Sequence, residues 1–227
     1  MTQPLNLYGD RVVRTTGKHG VDIASQRMDD LDIAALQYAL QKTEKRGVAI
    51  DLGCGSGMQG LRFAALGFKT MLIDWLPIEM TVLRIAEIDQ MLPLSYVMKD
   101  VRTLTASELP DEVAFCYSQR FIQYLQFEEA VTLLRLLRAR MPVGAKLFLS
   151  ASGLLSELGD GYEGRKHPLT RRFAVLARNM ANKHDIHEPV CLYTLEDLIA
   201  LCRSAAFLPE HVFSSPFGNV KGIFTAA

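Results

Sequence analysis

Three glycines at alternate positions, directly after a short apolar run, form the pattern in this chain that most clearly indicates chemistry. The run from Val48 to Leu52 is interrupted only by Asp51, as expected for a strand buried on both faces of a parallel sheet. The glycines that follow are Gly53, Gly55 and Gly57. The stretch from Met58 to Leu66 is typical of a helix, with Ser56 placed to cap it and Gly67 to end it. Because the three glycines have no side chain to block close approach, a ligand can reach the backbone amides at the start of that helix, so we predict a ligand site here.

Two classes of ligand compete for this turn. The letters from Gly55 to Gly60 match G-x-G-x-x-G, the fingerprint of dinucleotide-binding folds, which is a weak signal by itself. In those folds the pyrophosphate lies on the glycine turn, and the carboxylate of Asp51 beside it would repel that anion. A ligand with a positive charge suits Asp51 better. We therefore favour a cationic ligand, with dinucleotide binding and a purely structural turn as the alternatives.

The segment Asp51-Leu-Gly-Cys-Gly-Ser-Gly57 resembles the first motif of the class I S-adenosylmethionine-dependent methyltransferases. The ligand of that family carries an ammonium and a sulfonium group and no phosphate. The resemblance extends from Val48 to about Leu149 and implies S-adenosyl-L-methionine as the cofactor. It also implies an α/β fold, with a doubly wound, mostly parallel seven-stranded sheet of the Rossmann-like type and a final antiparallel hairpin. The two strands of that hairpin are predicted at Phe207 to Phe213 and Gly218 to Thr225.

A second acidic residue ends the next predicted strand, which runs from Lys69 to Asp74. It comes about 20 residues after the glycine turn, where doubly wound folds place a carboxylate that binds ribose hydroxyls. We therefore predict that Asp74 accepts hydrogen bonds from a ribose, and the alternative is a helix cap for the segment that follows. Trp75 comes next and is a candidate to flank an adenine ring, while Pro77 is expected to open a helix to Gln90.

The remaining cofactor contacts follow from the resemblance. A third predicted strand covers Leu94 to Met98, and Asp100 after it stands where the family has an acid that binds the adenine amino group. An exposed turn aspartate is the alternative. We interpret Cys54 as a small packing residue rather than a nucleophile. The residues assigned to the cofactor are Asp51, Gly53, Cys54, Gly55, Gly57, Asp74, Trp75, Asp100, Val101 and Ser118.

The residues assigned to the methyl acceptor come from two later segments. The first leaves the fourth predicted strand, Glu112 to Tyr117, at the strand end that faces the ligand crevice in open α/β sheets. The second, Ala151 to Pro168, is rich in Gly and Ser and too long for a simple connection, which indicates a functional loop. The catalytic candidates are Arg120, Tyr124 and His167, with Tyr162 as a further residue on the substrate side.

Other constellations do not meet the requirements of a site. His184, His187 and Cys191 lie close together in sequence, but Pro189 interrupts them and their spacing matches no standard zinc site. No G-x-S-x-G motif surrounds Ser118, which argues against a hydrolase. We therefore predict no metal site.

Composition and charge limit the classes of partner. With 25 Lys and Arg against 25 Asp and Glu among 227 residues, the chain lacks the basic footprint of a nucleic-acid-binding protein. No stretch approaches the ~18 apolar residues of a membrane helix. The polar N-terminus shows no signal peptide, and the 4 cysteines form no C-x-x-C pair. These features predict reduced thiols and a cytoplasmic location.

We divide the chain into an N-terminal segment with a helix, residues 1–46, and a methyltransferase-like domain, residues 47–227. The N-terminal segment is either a solvated tail or a lid over the cofactor, with Tyr8 and Arg11 as candidate contacts. A fifth strand is predicted at Ala145 to Ser150. Further helices are predicted at Asp29 or Asp30 to about Lys45, Glu128 to Arg140, Leu169 to Lys183, and Thr194 to Arg203.

The function predicted from these features is methyl transfer from S-adenosyl-L-methionine to a small molecule by direct displacement. The letters Ser118-Gln-Arg-Phe121 depart from the Asn/Asp-Pro-Pro-Tyr pattern of families that methylate planar amines in nucleic acids. A protein or nucleic-acid target is therefore a weaker alternative, and a module that holds the cofactor without turnover is another. The chain is loosely similar to the tellurite-resistance and thiopurine-type methyltransferases. The accepting atom and the oligomeric state have no signature in the sequence.

Overall fold

A computed structural model describes residues 28–76 and 92–227. The strands are β1 (Val48–Leu52), β2 (Lys69–Asp74), β3 (Leu94–Met98), β4 (Val113–Ser118), β5 (Lys146–Ala151), β6 (Phe207–Ser214) and β7 (Val220–Ala226). The α-helices in these ranges are α1 (Asp30–Gln41), α2 (Met58–Ala65), α3 (Phe127–Arg138), α4 (Arg178–His184) and α5 (Leu195–Ser204). None of them combines the length and the apolar character that crossing a membrane requires.

The strands form one sheet in the order β3-β2-β1-β4-β5-β7-β6. Strands β1 to β5 are parallel, while β7 pairs antiparallel with both β5 and β6. The predicted fold class, a doubly wound α/β sheet closed by an antiparallel hairpin, is confirmed. The strand order reverses between β1 and β4, and ligands of such sheets bind outside the carboxyl ends of the strands at this point.

Helices cover both faces of the sheet and bury its central strands. Under α1 and α2, the ring of Phe115 meets Phe63 and Phe68 edge to face, with centroids 4.9 and 5.1 Å apart. Under α3 and α5, the core is mainly aliphatic and includes Leu134 and Leu198, which are fully buried. Burial on both faces explains why β1 is an almost continuous apolar run.

Two predicted helices differ from the structure. The first ends at Gln41 rather than near Lys45, so its last turn carries no basic residue. The chain turns away at Lys42, and the Lys45 ammonium folds back to donate hydrogen bonds to the carbonyls of Ala39 and Lys42. This lysine satisfies helix-end carbonyls from outside the helix.

The predicted helix from Leu169 to Lys183 is wrong over its first half. The structure has a single 3₁₀ turn at Leu169–Arg171 and then α4. Between them Ala174 forms an isolated antiparallel bridge with Val190, with N–H to carbonyl distances of 3.0 and 2.9 Å. Pairing with a segment distant in sequence overrides helix propensity here. The predicted helix from Pro77 to Gln90, and Tyr8 and Arg11, lie outside the described residues.

Candidate functional site

The turn after β1 consists of three glycines in the left-handed region. Their φ angles are 66° at Gly53, 54° at Gly55 and 77° at Gly57. Gly57 is the N-cap residue of α2 and provides no side-chain cap, so the predicted cap at Ser56 is wrong. The N–H groups of Gly53 and Cys54 donate to the Ile73 carbonyl, at 2.8 and 3.2 Å, which fixes the turn to β2.

Gly53 and Gly55 are glycines for different reasons. A Cβ atom built on Gly53 would lie 2.2 Å from Cγ of Phe121, so the ring of Phe121 occupies the space of the missing side chain. A Cβ atom on Gly55 would meet nothing within 4 Å among the described residues. Gly53 therefore joins the turn to the loop after β4, whereas Gly55 presents bare backbone to open space, as a ligand surface requires.

Asp51 lies beneath this turn. It is 2% exposed, and its carboxylate accepts a 2.8 Å hydrogen bond from the N–H of Gly60 in α2. Burial raises its pKa to about 7, the charges of Asp32 and Asp74 act in the same direction, and the Gly60 hydrogen bond opposes them. Within the described residues it has no ion-pair partner. A positive charge placed beside it would favour its ionised form.

Asp74 lies at the carboxyl end of β2 and connects the turn to the next segment. One carboxylate oxygen accepts from the N–H of Gly55 at 2.9 Å, and the other accepts from Leu76 at 3.1 Å. Its backbone carbonyl accepts from the hydroxyl of Tyr96 in β3 at 3.3 Å. The carboxylate is thus oriented beside the open glycine and keeps lone pairs for further donors. Trp75, next in the chain, is 49% exposed.

Asp100 and Val101 follow β3. Asp100 is the N-cap residue of a 3₁₀ turn at Val101–Thr103 and forms a two-pronged ion pair with Arg102, including a 2.6 Å contact. This partner holds the pKa of Asp100 below its usual range. An adenine amino group at Asp100 would compete with Arg102 for the carboxylate. Val101 is 7% exposed and packs in the core below.

Ser118 and Cys54 contribute polar atoms near the same edge. Ser118 ends β4 and is completely buried, and its Oγ has no hydrogen-bond partner within the described residues. Cys54 packs against the cluster around Leu72, and burial raises the pKa of its thiol far above the ordinary value. A thiol of this kind is not a nucleophile at neutral pH, which supports a packing role.

The loop after β4 has an unusual backbone at Arg120. Its φ is 49°, a left-handed conformation that costs a non-glycine residue ~1–2 kcal/mol. The Arg120 N–H donates to the carbonyl and the Oγ of Ser150, at 3.1 and 3.0 Å, and its carbonyl accepts from Gln123 at 2.7 Å. Such strain persists where the surroundings fix it and is frequent at functional sites.

Residues 152–193 lie beside that loop and pack around a small core of their own. We call them the 152–193 segment. Its buried side chains are Leu154, Leu158, Tyr162, Leu176, Ala181, Ile186, Val190 and Leu192, and Tyr124 packs against them from the loop. Buried Gln123 joins the two regions, because its side chain accepts from Ser152 at 3.1 Å and its carbonyl accepts from Cys191 at 2.8 Å.

The structure separates the acceptor-side candidates. Arg120 and Tyr124 lie together: burial raises the pKa of Tyr124 to about 12, against the positive charge of Arg120. His167 is exposed in the 152–193 segment, where its carbonyl accepts from Arg172 at 3.2 Å. The Tyr162 hydroxyl donates to the backbone of Val190 at 2.6 Å and of Arg172, and the residue is 3% exposed. Tyr162 therefore supports the segment, contrary to the substrate-side prediction.

Three ionisable groups near this edge have no signature in the sequence. Asp32, buried at the start of α1, accepts hydrogen bonds from the hydroxyl of Tyr117 and the N–H of Asp29. Glu157 and His184 form a pair with 3.1 Å between Oε2 and Nε2. Twenty-seven positions separate these two in sequence, so only the fold brings them together. In the described parts of the chain, no group of three or more His, Cys, Asp or Glu residues could hold a metal ion.

Neither protein-family models nor curated proteins match this sequence. Solved structures are similar in fold. A SAM-dependent methyltransferase from Methanosarcina mazei superposes with a TM-score of 0.55 at 18% identity, over 80% of this chain and 92% of that one. The 1,6-didemethyltoxoflavin-N1-methyltransferase of Burkholderia thailandensis, solved with 1,6-didemethyltoxoflavin and S-adenosylhomocysteine, gives 0.62 at 15% identity, over 91% and 81%.

A third example is the magnesium protoporphyrin IX methyltransferase of Synechocystis, solved with bound SAH. It superposes with a TM-score of 0.58 at 12% identity, over 86% of this chain and 81% of that one. Identities this low establish the architecture and no more. The strand order, the closing hairpin and these similarities together show that the chain has the fold of the class I S-adenosylmethionine-dependent methyltransferases.

Proposed function

We propose that this protein transfers the methyl group of S-adenosyl-L-methionine to a small molecule. The observation that carries the proposal is the pairing of Asp74 with Gly55: an oriented carboxylate lies 2.9 Å from the amide of an unobstructed glycine. This pair stands at the carboxyl edge of the central strands, where such sheets bind ligands. A nucleoside with free ribose hydroxyls complements this carboxylate.

The charges near the turn favour the methyl donor over a dinucleotide. The carboxylates of Asp51 and Asp74 do not repel a cation, and Asp51 has no ion-pair partner among the described residues. A pyrophosphate on the glycine turn would instead lie near the carboxylate of Asp51, with a cost from like charges. S-adenosyl-L-methionine supplies an electrophilic methyl group on a positively charged sulfur. Its positive charges complement Asp51, and its ribose hydroxyls can donate to Asp74. Its adenine would then lie near Trp75, Asp100 and Val101.

The rest of the proposed site follows from this orientation. With the nucleoside at β2 and β3, the methyl group faces the carboxyl ends of β4 and β5. The acceptor then lies between Ser118 to Tyr124 and the 152–193 segment. Holding two reactants in line can supply ~7–11 kcal/mol of a displacement barrier, so this site needs alignment more than a fixed catalytic triad. The neighbours named for toxoflavin and porphyrin substrates act on small molecules, which supports a small acceptor here.

The domain division belongs to the same proposal. Asp29, just before α1, accepts hydrogen bonds from Gln119 in the loop after β4 and from Lys221 in β7, the latter at 2.7 Å. The start of α1 therefore lies beside the proposed acceptor site. This supports treating residues 1–46 as a unit that contributes to the site and residues 47–227 as the methyltransferase domain.

Thermal unfolding with added S-adenosylmethionine, S-adenosylhomocysteine and NAD tests the ligand class. A ligand at one hundred times its Kd adds ~2.7 kcal/mol to the free energy of unfolding. We expect this effect from the two adenosyl ligands and none from NAD. Stabilisation by NAD alone would overturn the proposal.

Calorimetry on Asp74→Ala tests the carboxylate. Each hydrogen bond to a charged group contributes ~1.5–3 kcal/mol, so we expect S-adenosylhomocysteine affinity to fall at least tenfold. Asp100→Ala is the matched control. It should weaken binding less, because the carboxylate of Asp100 is already paired with Arg102. Unchanged affinity in a folded Asp74→Ala protein would contradict the ribose assignment. Binding without methylation of any acceptor would favour a module that only holds the cofactor.

A further inference from the structure

Arg120 is positioned as an anchor for a negative charge. Its strained backbone is held by β5 through Ser150 and by Gln123, which itself binds the 152–193 segment. Within the described part of the chain its guanidinium has no carboxylate partner. An arginine that is fixed at its backbone, partly buried and unpaired can bind an anionic group with two parallel hydrogen bonds.

His184 belongs to the 152–193 segment, against whose core the loop of Arg120 packs through Tyr124, and it is oriented by a carboxylate. The 3.1 Å contact between its Nε2 and Glu157 assigns the ring proton to Nε2 and leaves Nδ1 as an acceptor. The next residue, Asp185, has a left-handed backbone with φ of 55° and ends α4 there. Arg120 and Asp185 are thus two of the three non-glycine residues with positive φ in the described chain.

Burial and two neighbouring cations lower the pKa of the His184 imidazole. Burial lowers its pKa most, Lys183 on its own helix and Arg120 from the loop after β4 lower it too, and Glu157 opposes them. Lys183 is itself paired with Glu157. A neutral imidazole with a free Nδ1 can accept a proton.

We propose that the methyl acceptor is a small organic anion whose acidic group binds Arg120 and whose nucleophilic O–H, N–H or S–H group loses its proton to Nδ1 of His184. This inference rests on the proposed function and specifies its substrate class. Glu157 is a positioning residue, because it fixes the tautomer and the direction of the imidazole.

The bond changes balance without a further reactant. The acceptor's bond to hydrogen breaks, and the proton moves to Nδ1 of His184. The acceptor's electron pair forms the bond to the methyl carbon while the bond from that carbon to sulfur breaks, and its electron pair stays on the sulfur. The imidazolium then releases its proton to water, which restores the resting state.

Binding of defined probes tests the anion site without turnover. The probes are benzoate and salicylate, with benzamide and salicylamide as neutral counterparts, added to the protein saturated with S-adenosylhomocysteine. By calorimetry we expect the acids to bind at least tenfold more tightly than the amides. Arg120→Met should remove this preference and leave S-adenosylhomocysteine affinity within about threefold. Arg203→Met, which removes an exposed arginine from the last turn of α5, is the matched control and should change neither.

The outcomes separate the inference from the proposed function. Equal binding of acids and amides, or no binding of either beside bound S-adenosylhomocysteine, would refute the anion site and leave cofactor binding intact. A large loss of S-adenosylhomocysteine affinity in Arg120→Met would assign the arginine to the cofactor instead. Absence of S-adenosylhomocysteine binding to the unmodified protein would refute the proposed function itself.

The role of His184 has a spectroscopic and a kinetic test. Nitrogen NMR of the ring should show a shift at Nδ1 when salicylate binds, and Glu157→Gln should change the tautomer ratio. In a methylation assay on hydroxy, amino and thiol acids, His184→Gln should lower kcat by ~100-fold or more. His187→Gln, an exposed histidine nearby, should stay within twofold. An unchanged Nδ1 signal, or His184→Gln turnover within threefold of the unmodified protein, would refute the assignment.

Discussion

The glycine turn and the 152–193 segment both border the carboxyl edge of the sheet, but different forces hold them. The turn is fixed by backbone hydrogen bonds to β2 and by contact with Phe121. The 152–193 segment is fixed by its own small core and by side chains such as Arg172, which donates to the Leu192 carbonyl at 3.1 Å. Backbone chemistry leaves a recognisable local motif, whereas a core assembled from distant residues does not.

This difference in stabilising forces also bears on which region can tolerate changes in sequence. The turn can bind a constant ligand because its geometry depends on glycines and the strand beside them. The 152–193 segment can change its polar residues while its apolar core is kept. We therefore expect cofactor affinity to depend on the first region and acceptor choice on the second, and three substitutions test this division.

The largest effect is expected for Gly53→Ala. The added methyl overlaps Phe121 and must adopt a left-handed backbone, so we expect a loss of ~2–5 kcal/mol in the free energy of unfolding. Gly55→Ala is the control: it carries only the backbone cost of ~1–2 kcal/mol, because its methyl meets no neighbour. Urea denaturation of both variants measures the difference. Equal losses would show that the contact with Phe121 contributes nothing.

Asp51→Asn is expected to change the pH dependence of stability. The folded pKa of about 7 is raised above the unfolded value, so the carboxyl favours folding below pH ~4, and this contribution is lost as pH rises to about 7. The folded and unfolded pKa values of Asp51 differ by about 3 units, which corresponds to ~4 kcal/mol in the free energy of unfolding. Burial of the Asn side chain in the variant also costs free energy, so only part of this difference should be recovered. At pH 8 we expect the free energy of unfolding of Asp51→Asn to be ~1–3 kcal/mol higher than that of the unmodified protein. We also expect the variant to bind S-adenosylmethionine more weakly.

Urea denaturation at pH 5 and pH 8 measures this change. Asp111→Asn, a fully exposed site, is the control and should leave the pH dependence as it is. A variant that is less stable than the unmodified protein at pH 8 would show that ionised Asp51 stabilises the fold through a partner. That result would remove the reason for placing a cation beside it.

The smallest effect is expected for Tyr162→Phe. Loss of its hydroxyl leaves the Val190 and Arg172 carbonyls without that donor, at a cost of ~1–2 kcal/mol in the free energy of unfolding. S-adenosylhomocysteine affinity should stay within twofold. Tyr96→Phe is the counterpart in the first region, because its hydroxyl contacts the backbone carbonyls of Asp74 and Leu76 and so holds the end of β2, and it should lower that affinity several-fold. If calorimetry shows the reverse pattern, the division between the two regions is wrong.

The fold could be predicted from the sequence because its elements have local causes. Apolar runs place β1 to β5 to within about two residues, and the capping box of Thr194 with Asp197 marks the start of α5. The segment from Leu169 to Lys183 could not be predicted, because its helical pattern competes with pairing to Val190. The predicted end of α1 is also wrong, because Lys45 contacts the last helical carbonyls from outside the helix instead of continuing it.

The site divides in the same way. Asp51, the glycines and Asp74 follow from one motif and one strand, and in the structure Gly55 donates a hydrogen bond to Asp74 while Gly60 donates one to Asp51. Their roles toward a cofactor stay predictions. His184 and Glu157 could not be found by spacing, since they meet only when the 152–193 segment folds. The sequence places Tyr162 in a long loop beside the predicted crevice, which suggests a substrate contact, whereas in the structure its ring fills a core.

The position of β7 has a consequence for the order in which the protein can assemble during synthesis. This strand is the last of the sheet in sequence, yet it lies between β5 and β6. Its Lys221 also pairs with Asp29, 192 positions earlier. Until the ribosome has released residues 220–226, β6 has no neighbour to pair with and the acids at the start of α1 have no cation. The nascent chain therefore carries an unpaired β5 edge until β7 emerges, and an unpaired strand edge of this kind is prone to pair with other chains.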